Sequence, residues 1–167
     1  MFFHSWLFIL FAIAVVGLFY CLPKGLPRRL LLLLAGLYFY ACFRPEYLIL
    51  MLAVVFMDYT VARFMEKTIA IKKRRFFLCC SLFFDLGILF LFKYLGFFEE
   101  TWNAIFSSLS GEIHLPSLLL PMGISFYTFQ SLSYVIDVYR KKIPAEKSLL
   151  QYSLYVTFFP QLVAGPI

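Results

Sequence analysis

Long runs of apolar residues constrain this chain more than any other feature. The first run, from Trp6 to Leu22, contains no charged residue, and a helix needs about 20 apolar residues to span a bilayer, or about 17 at the short end. Similar runs recur along the chain, which is 63% hydrophobic and only 14% charged, whereas soluble domains contain about 25% charged residues. The sequence therefore predicts an all-α fold, a polytopic transmembrane helical bundle, and excludes a water-soluble globular domain.

Six apolar stretches are predicted to span the membrane as parts of one domain over residues 1–167. Their approximate bounds are residues 6–22, 30–43, 47–62, 76–92, 117–137 and 148–167. Between the fourth and fifth stretches, residues 93–106 mix aromatic and charged side chains, which is typical of a separate helix in the headgroup region. Pro121 and Gly123 interrupt the fifth stretch, so its helix is predicted to begin near Gly123.

The basic residues that give the net charge of +6 are gathered in three connectors. Residues 23–29, 63–75 and 139–147 contain 3, 6 and 4 Lys or Arg, which is 13 of the 15 in the chain. Short connectors rich in Lys and Arg stay in the cytoplasm, so the N-terminus is predicted to lie outside a multi-pass protein of the inner (plasma) membrane. Membrane lipids with anionic headgroups are the expected partners of these connectors, and nucleic acid is not.

Residues suited to catalysis or metal binding are scarce. The two histidines, His4 and His114, lie outside the apolar stretches, whereas the general base of a membrane transferase should be buried beside its substrate. Four cysteines lie within or at the ends of apolar runs: Cys21, Cys42, Cys79 and Cys80. Their spacing does not suit zinc, and they are predicted to pack as small apolar residues. We therefore predict no catalytic residue, no metal ligand and no bound cofactor in this chain.

A polar stripe in the fifth stretch is the candidate functional site. Gln130, Ser133, Asp137 and Arg140 follow one another at i, i+3, i+7 and i+10, which is one face of a helix. Polar side chains inside lipid are costly and are functional candidates by default. The stripe is predicted to line a tunnel; the structural alternative is polar packing within the bundle, with an ion pair between Asp137 and Arg140.

Two aspartates also fall within apolar stretches. Asp85 lies near the centre of the fourth stretch, where it could bind a proton, a polar headgroup or a partner helix. Its structural alternative is a protonated or hydrogen-bonded carboxyl group that holds helices together. Asp58 lies nearer the end of the third stretch, and we predict that it pairs with Arg63 or with lysines of the basic connector.

Three blocks of sequence resemble the membrane-bound O-acyltransferase family, in its bacterial branch of alginate O-acetylation and D-alanyl transfer proteins. The blocks are Pro121-x-Gly-Ile-Ser-Phe-x-Thr-Phe-Gln, Ser-Tyr-x-Ile-Asp-x-Tyr-Arg from Ser133, and Phe158-Phe-Pro-Gln-Leu-x-Ala-Gly-Pro-Ile. Phe92-Lys93-Tyr94 is similar to that branch as well. The resemblance extends in order along all 167 residues, although Asp85 stands where related proteins favour a neutral amide.

The resemblance implies a helical bundle with a funnel through it. An acyl group, expected to be acetyl, would arrive from acetyl-CoA or an acyl carrier protein on the cytoplasmic side. It would pass to hydroxyl groups of an extracytoplasmic polysaccharide or wall polymer, with periplasmic or extracellular partner proteins. The catalytic histidine of the family lies downstream of the block that ends at Ile167, so the chain is expected to be the N-terminal portion of such an enzyme and inactive alone.

Two other classes of function remain open from the sequence. The interrupted segment before Gly123, with a polar stripe behind it, is also typical of a midplane substrate site in half of a transporter or flippase. A non-catalytic membrane scaffold for partner proteins would equally suit a chain without a general base.

Overall fold

The computed structural model describes residues 6–42, 45–110, 121 and 123–164, with the side chains of residues 6–42, 45–104, 121 and 123–161. The described residues form α-helices without any β-strand. The helices are α1 (Trp6–Cys21), α2 (Leu26–Ala41), α3 (Pro45–Lys67), α4 (Ile71–Ser110), α5 (Ile124–Tyr139), α6 (Leu149–Thr157) and α7 (Phe159–Ala164). By length and composition α3 and α4 can each cross a membrane, and α1 is a shorter apolar helix. The all-α membrane fold is confirmed.

The helix α4 differs most from the prediction, because it continues through the segment expected to form a separate helix in the headgroup region. It runs for 40 residues, which is about 60 Å at 1.5 Å per residue, twice the thickness of the bilayer core. No proline interrupts it after Ile71. The glycine at position 96 costs only about 1 kcal/mol in a helix. Aromatic pairs such as Phe98–Trp102, with ring centroids 5.8 Å apart, pack at i and i+4 along this extension.

The start of α5 follows the prediction from its glycine. Gly123 is the N-cap residue and has a φ of 71°, a left-handed conformation that glycine adopts without steric cost. The amide of Tyr127 then donates to the carbonyl of Gly123 at 3.0 Å, which begins the helical hydrogen-bond pattern.

The final apolar stretch is divided into two helices. Ser148 caps α6 by accepting a hydrogen bond from the amide of Gln151 at 3.4 Å. After Thr157 the chain is extended at Phe158, and α7 begins with Pro160 in its first turn, where proline is tolerated because its missing N–H needs no partner. The sequence indicates an interruption of this stretch at Pro160, and the structure places the break at Phe158, which leaves carbonyl groups at the end of α6 without partners inside the helix.

The core lies between α3, α4, α5 and α6. Met51, Val54, Tyr127, Val135 and Val156 are fully or almost fully buried there. A second cluster joins α1 and α2 to α7 through four residues: Val15, Ala35, Phe39 and Phe159.

The helices α2 and α6 approach each other closely at one glycine. A Cβ atom at Gly36 would collide with the carbonyl oxygen of Thr157. Only glycine therefore permits this crossing.

Candidate functional site: a polar groove along α5

Two adjoining cavities lie along the polar face of α5, and together we call them the α5 groove. The Gln130 cavity has a volume of about 570 Å³ and is lined by Ser125, Phe126, Phe129, Gln130, Ser133, Tyr155 and Gln161. The Asp137 cavity has a volume of about 320 Å³ and is lined by Ser133, Tyr134, Asp137, Ile143, Glu146, Gln151, Tyr152 and Tyr155. Ser133 and Tyr155 line both cavities. The groove is therefore continuous, with α5 as one wall and α6, α7 and the preceding turn as the other.

Gln130 joins the two walls of the groove. Its Nε2 donates to the backbone carbonyl of Tyr155 at 2.9 Å and to Oε1 of Gln161 at 3.3 Å. The Tyr155 carbonyl is available because α6 ends two residues later and cannot supply its partner. Oε1 of Gln130 is buried and has no hydrogen-bond partner among the described residues. This amide oxygen therefore has an unused acceptor position at the wall of the groove.

Ser133 lies where the two cavities meet. It is exposed, and its hydroxyl group donates to the backbone carbonyl of Gln130 at 2.8 Å. The side chain thus folds back on its own helix and keeps the groove open at this point.

Asp137 pairs with Lys142, not with Arg140 as the structural alternative for the stripe assumed. The Lys142 Nζ and Asp137 Oδ1 atoms are 3.5 Å apart, and the Asp137 side chain is 41% exposed. The pair forms because Lys141 adopts a φ of 60° after the end of α5, which turns the chain back on the helix. The amide of Lys142 then donates to the Asp137 carbonyl at 3.0 Å.

Arg140 lies outside the groove. It is the C-cap residue of α5 and is exposed. The structure therefore brings three of the four stripe residues, Gln130, Ser133 and Asp137, along one groove and leaves the fourth at its end.

The facing wall was missed in the sequence analysis. Tyr155, Gln161, Gln151 and Glu146 line it, but residues 148–167 were interpreted only as an interrupted apolar stretch and no candidate was named there. Gln151 and Gln161 were the available signal, since polar residues inside lipid are candidates for functional sites by default.

A second polar group, which we call the buried carboxyl cluster, lies behind α5. It consists of Asp58, Ser81, Asp85, Ser131 and Tyr152, contributed by α3, α4, α5 and α6 and at most 2% exposed. The predicted pairing of Asp58 with Arg63 or connector lysines is wrong, because Arg63 binds Glu66 at 3.0 Å instead. The carboxylate of Asp58 faces the bundle interior and accepts hydrogen bonds from Ser81 and Ser131.

Arg74 is a structural residue, although the sequence placed it with the exposed connector charges. It is 6% exposed, and its guanidinium group donates to the carbonyls of Met65, Val138 and Tyr139 at 2.8–3.0 Å. These carbonyls lie in the last turns of α3 and α5, where no partner is available within the helix. A positive charge at the C-terminal ends of helices also complements their dipoles.

Metal ligands do not come together in the described part of the chain, where no group of three His, Cys, Asp or Glu side chains is found. The four cysteines are free thiols. The predictions for His4 and His114 concern positions outside the described residues.

The long apolar helices α3 and α4 define a helical membrane protein, and a polar groove lies along α5. No family model and no solved structure matches the chain. It is 39% identical over 160 residues to "Probable alginate O-acetylase AlgI" of Azotobacter vinelandii and 38% identical to the protein of that name in Pseudomonas aeruginosa, in each case over 95% of the chain. It is also 32% identical, over 83% of the chain, to the peptidoglycan O-acetyltransferase of Helicobacter pylori.

This chain belongs to the membrane-bound O-acyltransferase family, as its sequence blocks indicated. The matched region covers 32%, 31% and 30% of the length of these three relatives. The chain therefore spans about a third of the length of the relatives that it matches.

Proposed function

We propose that this chain is part of a membrane O-acyltransferase that transfers an acyl group, expected to be acetyl, from a cytoplasmic donor to hydroxyl groups of an extracytoplasmic polysaccharide or wall polymer. The similarity to alginate and peptidoglycan O-acetyltransferases supports the class of reaction. One observation supports the location of the site. The α5 groove is built from the blocks that resemble the family, with Gln130 in the first, Ser133 and Asp137 in the second, and Gln161 in the third.

The groove is suited to binding and orienting a substrate. The unpaired Oε1 of Gln130 can accept a hydrogen bond from a hydroxyl or amide group, and Phe129 and Tyr155 offer apolar walls beside it. Holding reactants in the correct geometry is itself a large part of the acceleration in transfer reactions. None of the described groove residues is a histidine, so we assign the groove a positioning role in the passage of the acyl donor or acceptor.

The basic turn after α5 supports the proposed orientation. Lys141 and Lys142 line a third cavity of about 300 Å³ with Glu66 and Arg74, and basic connectors of this kind stay in the cytoplasm. The donor, acetyl-CoA or an acyl carrier protein, would approach from this side of the inner membrane. The acceptor and any periplasmic or extracellular partner proteins would then be on the side of the N-terminus and of Gly123.

The groove is tested by closing it in the full-length protein. We expect Ser133→Trp to reduce acetyl transfer from labelled acetyl-CoA to polysaccharide in membrane vesicles by at least about tenfold, because the indole would fill the junction of the two cavities. Misplacement of a substrate by about 1 Å already costs about a hundredfold. Thr101→Trp is the matched control, since Thr101 is also exposed and also donates to a carbonyl of its own helix at 2.8 Å. Full activity of Ser133→Trp would contradict a route through the groove.

The orientation is tested independently of activity. In a protein with the four cysteines replaced, a cysteine at Lys141 should react with a membrane-impermeant maleimide only after the membrane has been opened. A cysteine at Trp6 should react in intact cells, or spheroplasts where an outer membrane is present. The reverse pattern would contradict the proposed topology while leaving the groove test unaffected.

A further inference from the structure

The buried carboxyl cluster holds two acidic side chains without a balancing positive charge. Asp58 and Asp85 are both 0% exposed, and burying an unpaired charge costs several kcal/mol even after the protein relaxes. The neighbours that act on the pair electrostatically are hydroxyl groups: Ser81, Ser131, Tyr127 and Tyr152. No described Lys or Arg makes a hydrogen bond or salt bridge to either carboxyl group. A proton or a small cation must therefore neutralise at least one of the two carboxyl groups, while hydroxyl donors stabilise a charge on the other.

The hydroxyl hydrogens of the cluster can be assigned by counting donors. Ser81 donates to Oδ1 of Asp58 at 2.6 Å, and Ser131 donates to Oδ2 of the same carboxylate. A serine hydroxyl has one hydrogen, so Ser131 has none left for Tyr152, whose oxygen lies 2.5 Å from its own. Tyr152 is thus the donor of that bond. Tyr152 and Ser131 therefore form one chain of donors that ends at Asp58, and Ser81 donates to the other oxygen of the same carboxylate.

Asp85 is the member of the cluster that this pattern leaves out. Both of its oxygens are buried without a hydrogen-bond donor among the described residues, and its neighbour is the Asp58 carboxylate. An ionised carboxylate can only accept, whereas a protonated one can donate. The two oxygens of Asp58 offer about four lone-pair positions, and Ser81 and Ser131 occupy two of them. A hydrogen carried by Asp85 would satisfy both groups at once.

We propose that Asp85 carries a proton and donates it to Asp58, so that the pair is a one-proton binding site inside the membrane. Tyr152 links this site to the Asp137 cavity of the α5 groove, which it lines. When the pair holds no proton and one reaches the Tyr152 oxygen, the hydrogen of Tyr152 moves to Ser131, the hydrogen of Ser131 moves to Asp58, and Asp58 passes a proton on to Asp85. The serine and the tyrosine end with the same number of hydrogens as before, and the reverse sequence returns the proton. This site is independent of the proposed acyl transfer.

Infrared spectroscopy of the full-length protein tests the proton directly. The carbonyl band of a protonated carboxyl group is assigned to this pair by the difference between the spectra of wild type and Asp85→Asn. We expect wild type to show the band and Asp85→Asn to lose it, since the asparagine amide can donate to Asp58 without a proton. Asp58→Asn should keep the band at a shifted frequency, because Asp85 remains buried and still needs its proton, and the asparagine oxygen replaces the carboxylate as acceptor. Absence of the band from wild type would overturn the proposal. A stabilisation by sodium seen in wild type and missing in Asp85→Asn would replace the proton by a cation and overturn it as well.

The connection through Tyr152 is tested by transfer to heavy water. Deuteration shifts the carboxyl band, and we expect Tyr152→Phe to slow this shift by about tenfold or more, because one hydrogen-bonding hydroxyl of the chain is lost. Tyr134→Phe is the matched control. Tyr134 also lines the Asp137 cavity, and its ring centroid lies 4.7 Å from that of Tyr152. Its hydroxyl instead accepts from the amide of Glu146 at 2.8 Å. Equal exchange in wild type and Tyr152→Phe would overturn the connection.

Discussion

The buried carboxyl cluster and the α5 groove lie on opposite sides of the same helix and solve the problem of polar groups in lipid differently. In the cluster, hydroxyl groups of Ser81 and Ser131 are directed at Asp58, and both aspartates are buried. In the groove, Ser133 bonds only to its own helix, and an oxygen of Gln130 has no partner among the described residues. Polar groups that satisfy one another hold helices together, whereas groups with unused capacity beside a cavity are available to a ligand.

The largest effect should come from removing the acceptor at the centre of the cluster. We expect Asp58→Ala to destabilise the protein by about 3–5 kcal/mol, because Ser81, Ser131 and Asp85 all lose their acceptor and each unsatisfied buried group costs about 1–3 kcal/mol. The measurement is the free energy of unfolding in detergent. The control is Asp137→Ala, whose ion pair with Lys142 is exposed and contributes about 1 kcal/mol or less. Equal losses from the two variants would remove the distinction between the cluster and the groove.

Two serines on α5 allow a sharper comparison between the regions. Ser131→Ala should cost about 1–3 kcal/mol, since Tyr152 and Asp58 both lose a buried partner. Ser133→Ala should stay within about 0.5 kcal/mol, as exposed substitutions usually do. Both substitutions replace serine by alanine on one helix, two residues apart. The change in helix propensity is therefore the same in both and cancels in the comparison. An equal cost would show that burial does not separate the two sites.

The smallest effect is expected at the ion pair in the groove. Lys142→Ala should change the free energy of unfolding by about 0–1 kcal/mol, and the difference from wild type should shrink as salt is added. A loss of several kcal/mol that persists at high salt would mean that Lys142 belongs to the structural part of the molecule.

Local features of the fold could be predicted from the sequence, and contacts between distant segments could not. Gly123 marked the start of α5 because its backbone conformation is intrinsic to glycine. The partners of Asp58 are 23 and 73 residues away along the chain, so a reading of neighbouring residues assigned it to Arg63. The long α4 was divided in the prediction because aromatic and charged residues suggested a membrane surface, although no helix-breaking proline was present.

One wall of the candidate site could be predicted from the sequence and the other could not, because the second depends on contacts between distant segments. The helical spacing of polar residues in α5 was enough to identify the wall that contains Gln130, Ser133 and Asp137. The wall opposite depends on the break at Phe158, which exposes the Tyr155 carbonyl to Gln130. That break follows from the packing of Phe159 against Phe39 and Phe11 as much as from Pro160, and packing partners are not visible in one segment of sequence.

The guanidinium group of Arg74 has a mechanical consequence for the groove. By binding the final carbonyls of α3 and α5 from a position on α4, it fastens three helix ends into one rigid frame. The other wall is attached to α5 through side chains such as Gln130 and Tyr152. If the groove widens to admit a bulky chain, we expect the frame to stay fixed and α6 with α7 to swing away from it, with the extended residue Phe158 as the joint.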